Sequence, residues 1–242
     1  MNSTSRVAVE NFLSGRLSSD QQIPNCFWTI SRESREAFDK IRHTSMFPTS
    51  TVIFVEGQGA GGVFVVGEGR VKVSACSSEG KTMIMRIASC GEILGLHASL
   101  TGLPHATTVE TMQPCTLDFV GRDNFLAFLR GHGDAAVRVT QILSQECMEA
   151  YELARTMGLS GSVAERFARF LLDTVDHGQR KNGKAQARLA LTHEEMSQVV
   201  GTSRETITRL LSEFKKKDMV ELRRSTLTIC DRPALERLSG MS

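Results

Sequence analysis

Hydrophobic positions along the chain follow three different periods. From Ser50 to about Val120 they come as short β-branched runs broken by glycines: Thr51–Val55, Val63–Val66, Val71–Ser74, Thr82–Ile87, Thr107–Thr111 and Thr116–Val120. A loop at Gly57–Gly62, a hairpin turn at Glu68-Gly69 and a turn at Ser77–Gly80 separate the first four, and strands at such spacing predict a β-sandwich or barrel. Beyond Gly131-His132-Gly133 the period lengthens. Asp134 is placed to cap a helix reaching about Met157, on which Ala136, Val139, Leu143, Cys147, Ala150, Ala154 and Met157 recur about every 3.5 residues, the coiled-coil value. A helix packing on its own domain shows the same pattern. Gly158-Leu159-Ser160-Gly161-Ser162 interrupts it and reads as a hinge, because glycines absorb backbone rotation cheaply. A further helix is expected over Val163–Val175, then a polar, solvated loop from Asp176 to Ala187.

The third regime, from Leu191 to Leu211, predicts two short helices around a tight turn at Gly201. Ser203 is the N-cap of the second, its hydroxyl accepting a free backbone N–H of the first turn. Ile207, Leu210, Leu211 and Phe214 form one apolar stripe, and the opposite face carries Glu205, Arg209, Ser212 and Lys216, with Arg204 on the flank. This is how a helix-turn-helix presents side chains to a DNA major groove. An arginine fork matches guanine O6 and N7, and a carboxylate accepts from cytosine N4. Lys215, Lys216 and Lys217 lie further along and suit phosphates. The same spacing also makes Glu205 and Arg209 a good i, i+4 ion pair on an ordinary solvated helix. Met219–Leu222, Arg223-Arg224-Ser225 and Thr226–Ile229 then read as a small hairpin, a wing laying Arg223 and Arg224 against the DNA backbone.

Composition narrows the class. The chain has 242 residues, enough for two domains, and a net charge of only +2, so its useful basic charge is local. No apolar run approaches the ~18 residues of a membrane span. Met1–Gln22 is polar and lacks the apolar core of a secretory signal, so the expectation is a cytoplasmic protein with no membrane partner. The six cysteines, Cys26, Cys76, Cys90, Cys115, Cys147 and Cys230, include no CxxC pair, so no metal site is expected and reduced thiols are. Cys90 and Cys115 are the candidates for a redox switch. No P-loop, nucleophile elbow or HExxH helix is present, so no enzyme is implied.

Gly201-Thr202-Ser203-Arg204-Glu205-Thr206-Ile207-Thr208-Arg209 closely resembles the DNA-binding domain of the cAMP receptor protein / FNR (Crp/Fnr) family of bacterial transcription regulators. Ile53-Phe54-Val55-Glu56-Gly57 and Val63-Phe64-Val65-Val66-Gly67-Glu68-Gly69-Arg70-Val71-Lys72-Val73 are similar to its cyclic-nucleotide-binding jelly roll. The likeness covers nearly the whole chain after residue 25. It implies an α+β fold: an N-terminal arm over 1–25, a sensor jelly roll over 26–133, a dimerisation helix over 134–158 and a winged helix-turn-helix over 159–242. By the same resemblance, Arg204, Glu205 and Arg209 read bases, while Thr192, Ser203 and Thr206 hold phosphates. A homodimer joined through Val139, Leu143, Cys147, Ala150, Ala154 and Met157 would bind a palindromic, TGTGA-like promoter site on double-stranded DNA and meet RNA polymerase.

The resemblance places the effector cassette at Gly91 to Thr107, with Gly91 and Gly95 suited to close backbone approach. The chemistry of standard cAMP binding is missing from it. Leu96 stands where cAMP-binding members carry glutamate, and His105 and Ala106 stand where they carry arginine and serine. A lost charge-assisted arginine contact costs roughly 1.5–3 kcal/mol, which Thr107 and Thr108 recover only in part. The cofactor is therefore open. His97 and His105 are candidate haem ligands, an apolar pocket or a cysteine switch are further options, and so is an empty sensor with constitutive DNA binding. With only Cys26 near the N-terminus, an FNR-type iron–sulfur cluster is not expected. The rival reading is a ligand- or redox-sensing scaffold without sequence-specific DNA binding.

Overall fold

The computed structural model describes residues 26–159, 162–176, 179–181 and 184–240. The chain forms two compact units that divide at Ala150/Tyr151. That boundary lies inside a helix, ahead of the glycine-containing segment read as a hinge. Gly158 and Leu159 are still helical, and Ser160 and Gly161 lie outside the described residues, as does the N-terminal arm.

In the first unit, helix α1 (Arg32–Asp39) precedes strands β1 (His43–Phe47), β2 (Val52–Phe54), β3 (Gly62–Glu68), β4 (Arg70–Cys76), β5 (Thr82–Ser89) and β6 (Ile93–Leu94). Helix α2 (Leu96–Thr101), strands β7 (Thr108–Thr111) and β8 (Cys115–Gly121), and helices α3 (Arg122–Gly131) and α4 (Gly133–Leu159) follow. The strands make two antiparallel sheets, ordered β1-β8-β3-β6 and β2-β7-β4-β5, the jelly-roll layout expected. Val63, Val65, Val66, Val71, Ile84, Ile87, Leu94, Val109, Leu117 and Val120 fill their core.

One turn departs from the expected pattern. β3 and β4 belong to different sheets, so Glu68-Gly69 carries the chain from one sheet to the other and makes no hairpin. The corner requires glycine: φ is +95°, and a Cβ there would stand 2.5 Å from Cys115 Sγ and 2.8 Å from Pro114 O.

Helix α4 has an inner face, with Ala135, Val139 and Ile142 buried among Phe38, Phe125 and Phe128 of its own unit. Val139 is 3% exposed, and Leu143 packs half-buried against the same core. These two expected seam residues therefore face their own domain. The repeat of about 3.5 marks one stripe, covered by the core of its own unit in its first turns and open at Cys147, Ala150 and Ala154. The Met157 side chain lies outside the described residues. Val137, Met148 and Tyr151 are exposed at 58%, 47% and 65%.

Asp134 also differs from expectation. α4 begins at Gly133, so Asp134 sits in its first turn, and the carboxylate accepts from Ser34 Oγ at 2.6 Å and Ser31 N at 2.7 Å. Ser31 is the N-cap of α1, so Asp134 ties the start of one helix to another. The Ser34 hydroxyl, with the Ser31 N–H, holds this carboxyl well below the usual carboxylate range.

The second unit holds helix α5 (Val163–Asp176), strands β9 (Gln179–Lys181) and β10 (Lys184–Arg188), helices α6 (His193–Val200) and α7 (Arg204–Lys216), strands β11 (Val220–Arg223) and β12 (Thr226–Ile229), and helix α8 (Arg232–Leu238). Its sheet order is β11-β12-β10-β9. The segment expected as a solvated loop is thus largely strand. β10 pairs with β12 through Gln186↔Thr228, Ala187↔Leu227 and Arg188↔Thr226. Ala187 and Leu189 are buried, and their alternation is masked by the lysines, arginines and glutamines around them. The core joins Phe167, Leu171 and Leu172 of α5 to Met196, Val200, Ile207, Leu210, Leu211 and Phe214.

On α5, Asp173 is pushed up to about 6 by burial and by the neighbouring Asp176 charge, against the pull of Arg169. A carboxyl raised in the fold binds its proton more tightly there than in the unfolded chain, so stability falls as pH rises from about 4 to 6. Asp173→Asn removes that loss. It is expected to stabilise the protein by on the order of 2 kcal/mol above pH ~6 and to leave it unchanged near pH ~4. Urea unfolding at both pH values measures this.

Candidate nucleic-acid interface and sensor cassette

The helix-turn-helix is fixed by local chemistry. Thr192 caps α6: its Oγ1 accepts from Glu195 N at 3.1 Å while Glu195 Oε2 accepts from Thr192 N at 2.7 Å, a reciprocal capping box. Gly201 ends α6 in the left-handed region at φ +71°, and its N–H donates to Ser197 O. Ser203 caps α7, its Oγ accepting from Thr206 N at 3.2 Å. Ile207, Leu210, Leu211 and Phe214 are buried as the stripe requires, with Phe214 stacked on Phe167 at 5.6 Å between ring centroids.

Two further contacts, beyond the reach of a local sequence reading, set the helix pair. His193 Nδ1 lies 2.9 Å from Thr208 Oγ1, linking α6 to α7, and Arg166 Nε donates to Val200 O at 3.0 Å. The second satisfies a carbonyl at the end of α6.

The opposite face of α7 presents Ser203, Arg204, Glu205, Thr208, Arg209, Ser212 and Lys216 to solvent, with Thr206 half-buried. The i, i+4 pairing of Glu205 with Arg209 does not form. The Glu205 carboxyl is held below its ordinary range by its own backbone N–H first, then by the Ser203 hydroxyl and Arg204. It turns to the helix start, while the Arg209 charge acts on Glu213. Among the described residues neither Arg204 nor Arg209 is in an ion pair. β11 and β12 pair as Arg223↔Thr226, giving the expected wing with Arg224 at its tip. Arg223 is occupied by Glu221, Nε to Oε1 at 2.5 Å, whereas Arg224 is exposed.

The cassette in the first unit is built differently from a polar ligand cradle. Gly91 and Gly95 both take positive φ, +86° and +78°. Leu96 is 2% exposed and belongs to the apolar core. His105 is 5% exposed and stacks on Phe54 at 3.8 Å between ring centroids; a Cβ on Gly95 would come within 3.1 Å of its Cε1. Its backbone N–H donates to Gln58 O and its carbonyl accepts from Gly57 N, both at 2.8 Å. Burial lowers the His105 pKa and favours the neutral ring. His97 and Ala106 are exposed and Thr107 is half-buried. The two histidines are therefore not brought together: one is packed against Phe54 and the other faces water.

A cluster absent from the sequence reading lies beside the cassette. Arg86 on β5 donates Nη1 to Glu92 Oε2 at 2.6 Å and Nη2 to Glu146 Oε1 of α4 at 2.7 Å, with Glu149 close by. Glu92 also accepts from Ser89 N at 3.0 Å and Ser89 Oγ at 3.2 Å. Burial pushes the Glu92 and Glu146 carboxyls up, and Arg86 opposes it. The available signal was Glu146 and Glu149, a turn apart on the helix face that is otherwise apolar.

A β-sandwich of sensor type combined with a winged helix-turn-helix defines a class of DNA-binding regulators, and comparisons with known proteins agree. Residues 45–132 match the model of the cyclic nucleotide-binding domain, and residues 165–238 match that of the Crp-like helix-turn-helix domain. The chain belongs to the Crp/Fnr family of transcription regulators. It is 21% identical over 192 residues to a CRP-like cAMP-activated global transcriptional regulator of Mycobacterium tuberculosis, spanning 79% of this chain and 85% of that one. It is 25% identical over 193 residues to Electron transport regulator A of Shewanella oneidensis, spanning 78% and 75% of the two chains. The fold is shared with a CooA mutant from Carboxydothermus hydrogenoformans at a TM-score of 0.75 and 21% identity, covering 93% of this chain and 98% of that one. The family and its Mycobacterium tuberculosis relative are transcription regulators, not enzymes. Among the described residues no helix is long and apolar enough to cross a membrane.

Proposed function

We propose that the chain is a homodimeric transcription regulator that reads a palindromic, TGTGA-like promoter site and engages RNA polymerase, under the control of an effector at the β-unit. The observation that carries this reading is the outward face of α7, where Arg204, Glu205 and Arg209 stand exposed on a helix anchored by two caps and an apolar core. In this reading Arg204 and Arg209 address guanines and ionised Glu205 a cytosine. Ser203, Thr206, Thr192, Lys216 and Arg224 meet phosphates, and Arg223 joins them on release from Glu221. Residues 26–133 act as sensor, 134–158 as dimer helix and 159–242 as the DNA-binding part.

The open face of α4 supports the dimer. Val137, Cys147, Met148, Ala150, Tyr151 and Ala154 leave apolar surface uncovered along one helix. A two-fold pair would set two α7 helices about 34 Å apart. The cassette supports an effector other than cAMP, because Leu96 and His105 are packed as core where a nucleotide needs a carboxylate and a guanidinium. The test is selection of bound duplexes from a random pool, with sedimentation of the free protein. The expected results are an inverted repeat and a dimer. Met148→Glu with Val137→Glu is expected to give a folded monomer whose site affinity drops at least tenfold. A monomeric parent protein with no preferred sequence would support the scaffold reading instead.

A further inference from the structure

Cys26 enters the described structure as the partner of the turn between β5 and β6. Cys26 and Glu92 form an isolated antiparallel bridge, and Phe27 N donates to Gly91 O at 2.7 Å. Cys90 and Gly91 form the turn that leads into Glu92, so Cys90 lies beside the bridged position. A Cβ on Gly91, next to Cys90, would stand 2.6 Å from Cys26 Sγ, and Cys26 is near enough to act on the Cys90 thiol. Both thiols are half-buried, and Cys115, the other redox candidate of the sequence, is not comparable. Its side chain is buried at the Gly69 corner, with Sγ donating to Gln113 O at 3.1 Å and Arg70 O at 3.3 Å.

We propose that Cys26 and Cys90 form a peroxide-responsive dithiol whose disulfide locks the segment at Cys26 onto the Gly91-Glu92 turn. Cys26 is the sulfur that reacts first. Arg138 Nε donates to Cys26 O at 3.0 Å, which sets a guanidinium beside this residue. Burial, with Cys26 and Glu68 nearby, pushes the Cys90 thiol up, so Cys90 keeps its proton and serves as the resolving thiol. The Cys26 thiolate attacks hydrogen peroxide: the S–O bond forms, the O–O bond breaks and hydroxide leaves, giving a sulfenic acid. Cys90 sulfur then attacks Cys26 sulfur: the S–S bond forms, the S–O bond breaks, and the hydroxyl leaves as water with the Cys90 proton. Peroxide gains the two electrons that the two sulfurs lose.

The position gives the bond a consequence. Glu92, directly opposite Cys26, is held by Arg86, and Arg86 holds Glu146 on α4, so the disulfide fastens the root of that connection.

The experiment uses the full chain with the exposed thiols removed, C76S/C147S/C230S, leaving Cys26, Cys90 and Cys115. Stoichiometric peroxide is expected to lower the free thiols from three to one, with Cys115 the survivor. Peptide mapping is expected to show Cys26 linked to Cys90 with the loss of two hydrogens, reversed by dithiothreitol. With Cys90→Ser added, the sulfenic acid is expected to accumulate on Cys26 and to be trapped by dimedone. Three surviving thiols, or a linkage that includes Cys115, would overturn the proposal. Neither outcome bears on DNA reading by α7, which the duplex selection tests separately.

Discussion

Arg204→Ala and Arg209→Ala are each expected to weaken binding to the preferred duplex by about 1–3 kcal/mol, a factor of roughly 5 to 150, and to do so unevenly across sequences. The unevenness is the informative part. An arginine that grips guanine O6 and N7 loses energy only when that guanine is present, so the variant binds the four possible bases at that position nearly equally. Lys216→Ala should behave differently. A lysine on a phosphate contributes through counterion release, so its loss weakens every duplex alike and lowers the slope of log affinity against log salt by about 0.9. Glu205→Ala adds a third pattern, relaxed choice at its cytosine with affinity for unrelated duplexes preserved or raised, because a negative charge leaves the interface. All four side chains are exposed and carry none of the buried stripe, so folding is not at issue. Competition anisotropy with single-base variants at two salt concentrations separates the patterns. Equal losses on all sequences for the two arginine variants would remove base reading by α7.

The helix-turn-helix was legible because every device that builds it is local. A Thr192–Glu195 box, a left-handed glycine at 201, a serine cap at 203 and an apolar stripe all act within a few residues, where sequence spacing is spatial spacing. The errors lie where partners are distant. Glu68-Gly69 has the composition of a hairpin turn, but strand pairing across the sandwich decides which sheet receives each strand. β10 is concealed by its polar residues because its partner β12 lies some forty residues on. Val139 and Leu143 obey the helical repeat, yet the repeat does not say whether a domain or a second subunit covers them. The Cys26–Cys90 neighbourhood has no sequence signature, and the Arg86 cluster has only Glu146 and Glu149 on an apolar helix face, since the turn between β5 and β6 and the packing of α4 bring these residues together.

Arg86→Met is expected to cost about 3–5 kcal/mol of stability, because it strands buried acids without their cation. Glu92 is 3% exposed at its side chain and Glu146 28%, and both are bound to the same guanidinium. Methionine preserves much of the volume and none of the charge, so the loss reports on the ions and not on a cavity. The pH dependence gives the decisive sign. Burial already raises both carboxyls, so they hold protons more readily in the fold than in the unfolded chain. Removing Arg86 removes the main opposing pull and widens that difference. The unfolded chain then binds fewer protons than the fold over a broader range, and stability must fall as pH rises above about 4.5. Urea unfolding should therefore find Arg86→Met closest to the parent protein near pH ~5 and furthest from it near pH ~8. Adding Glu92→Gln and Glu146→Gln is expected to recover much of the loss at pH ~8, since neutral amides need no counter-charge. A deficit independent of pH would mean that water already solvates the acids. The cluster would then be a surface pair, unable to carry strain from the Gly91 turn into α4.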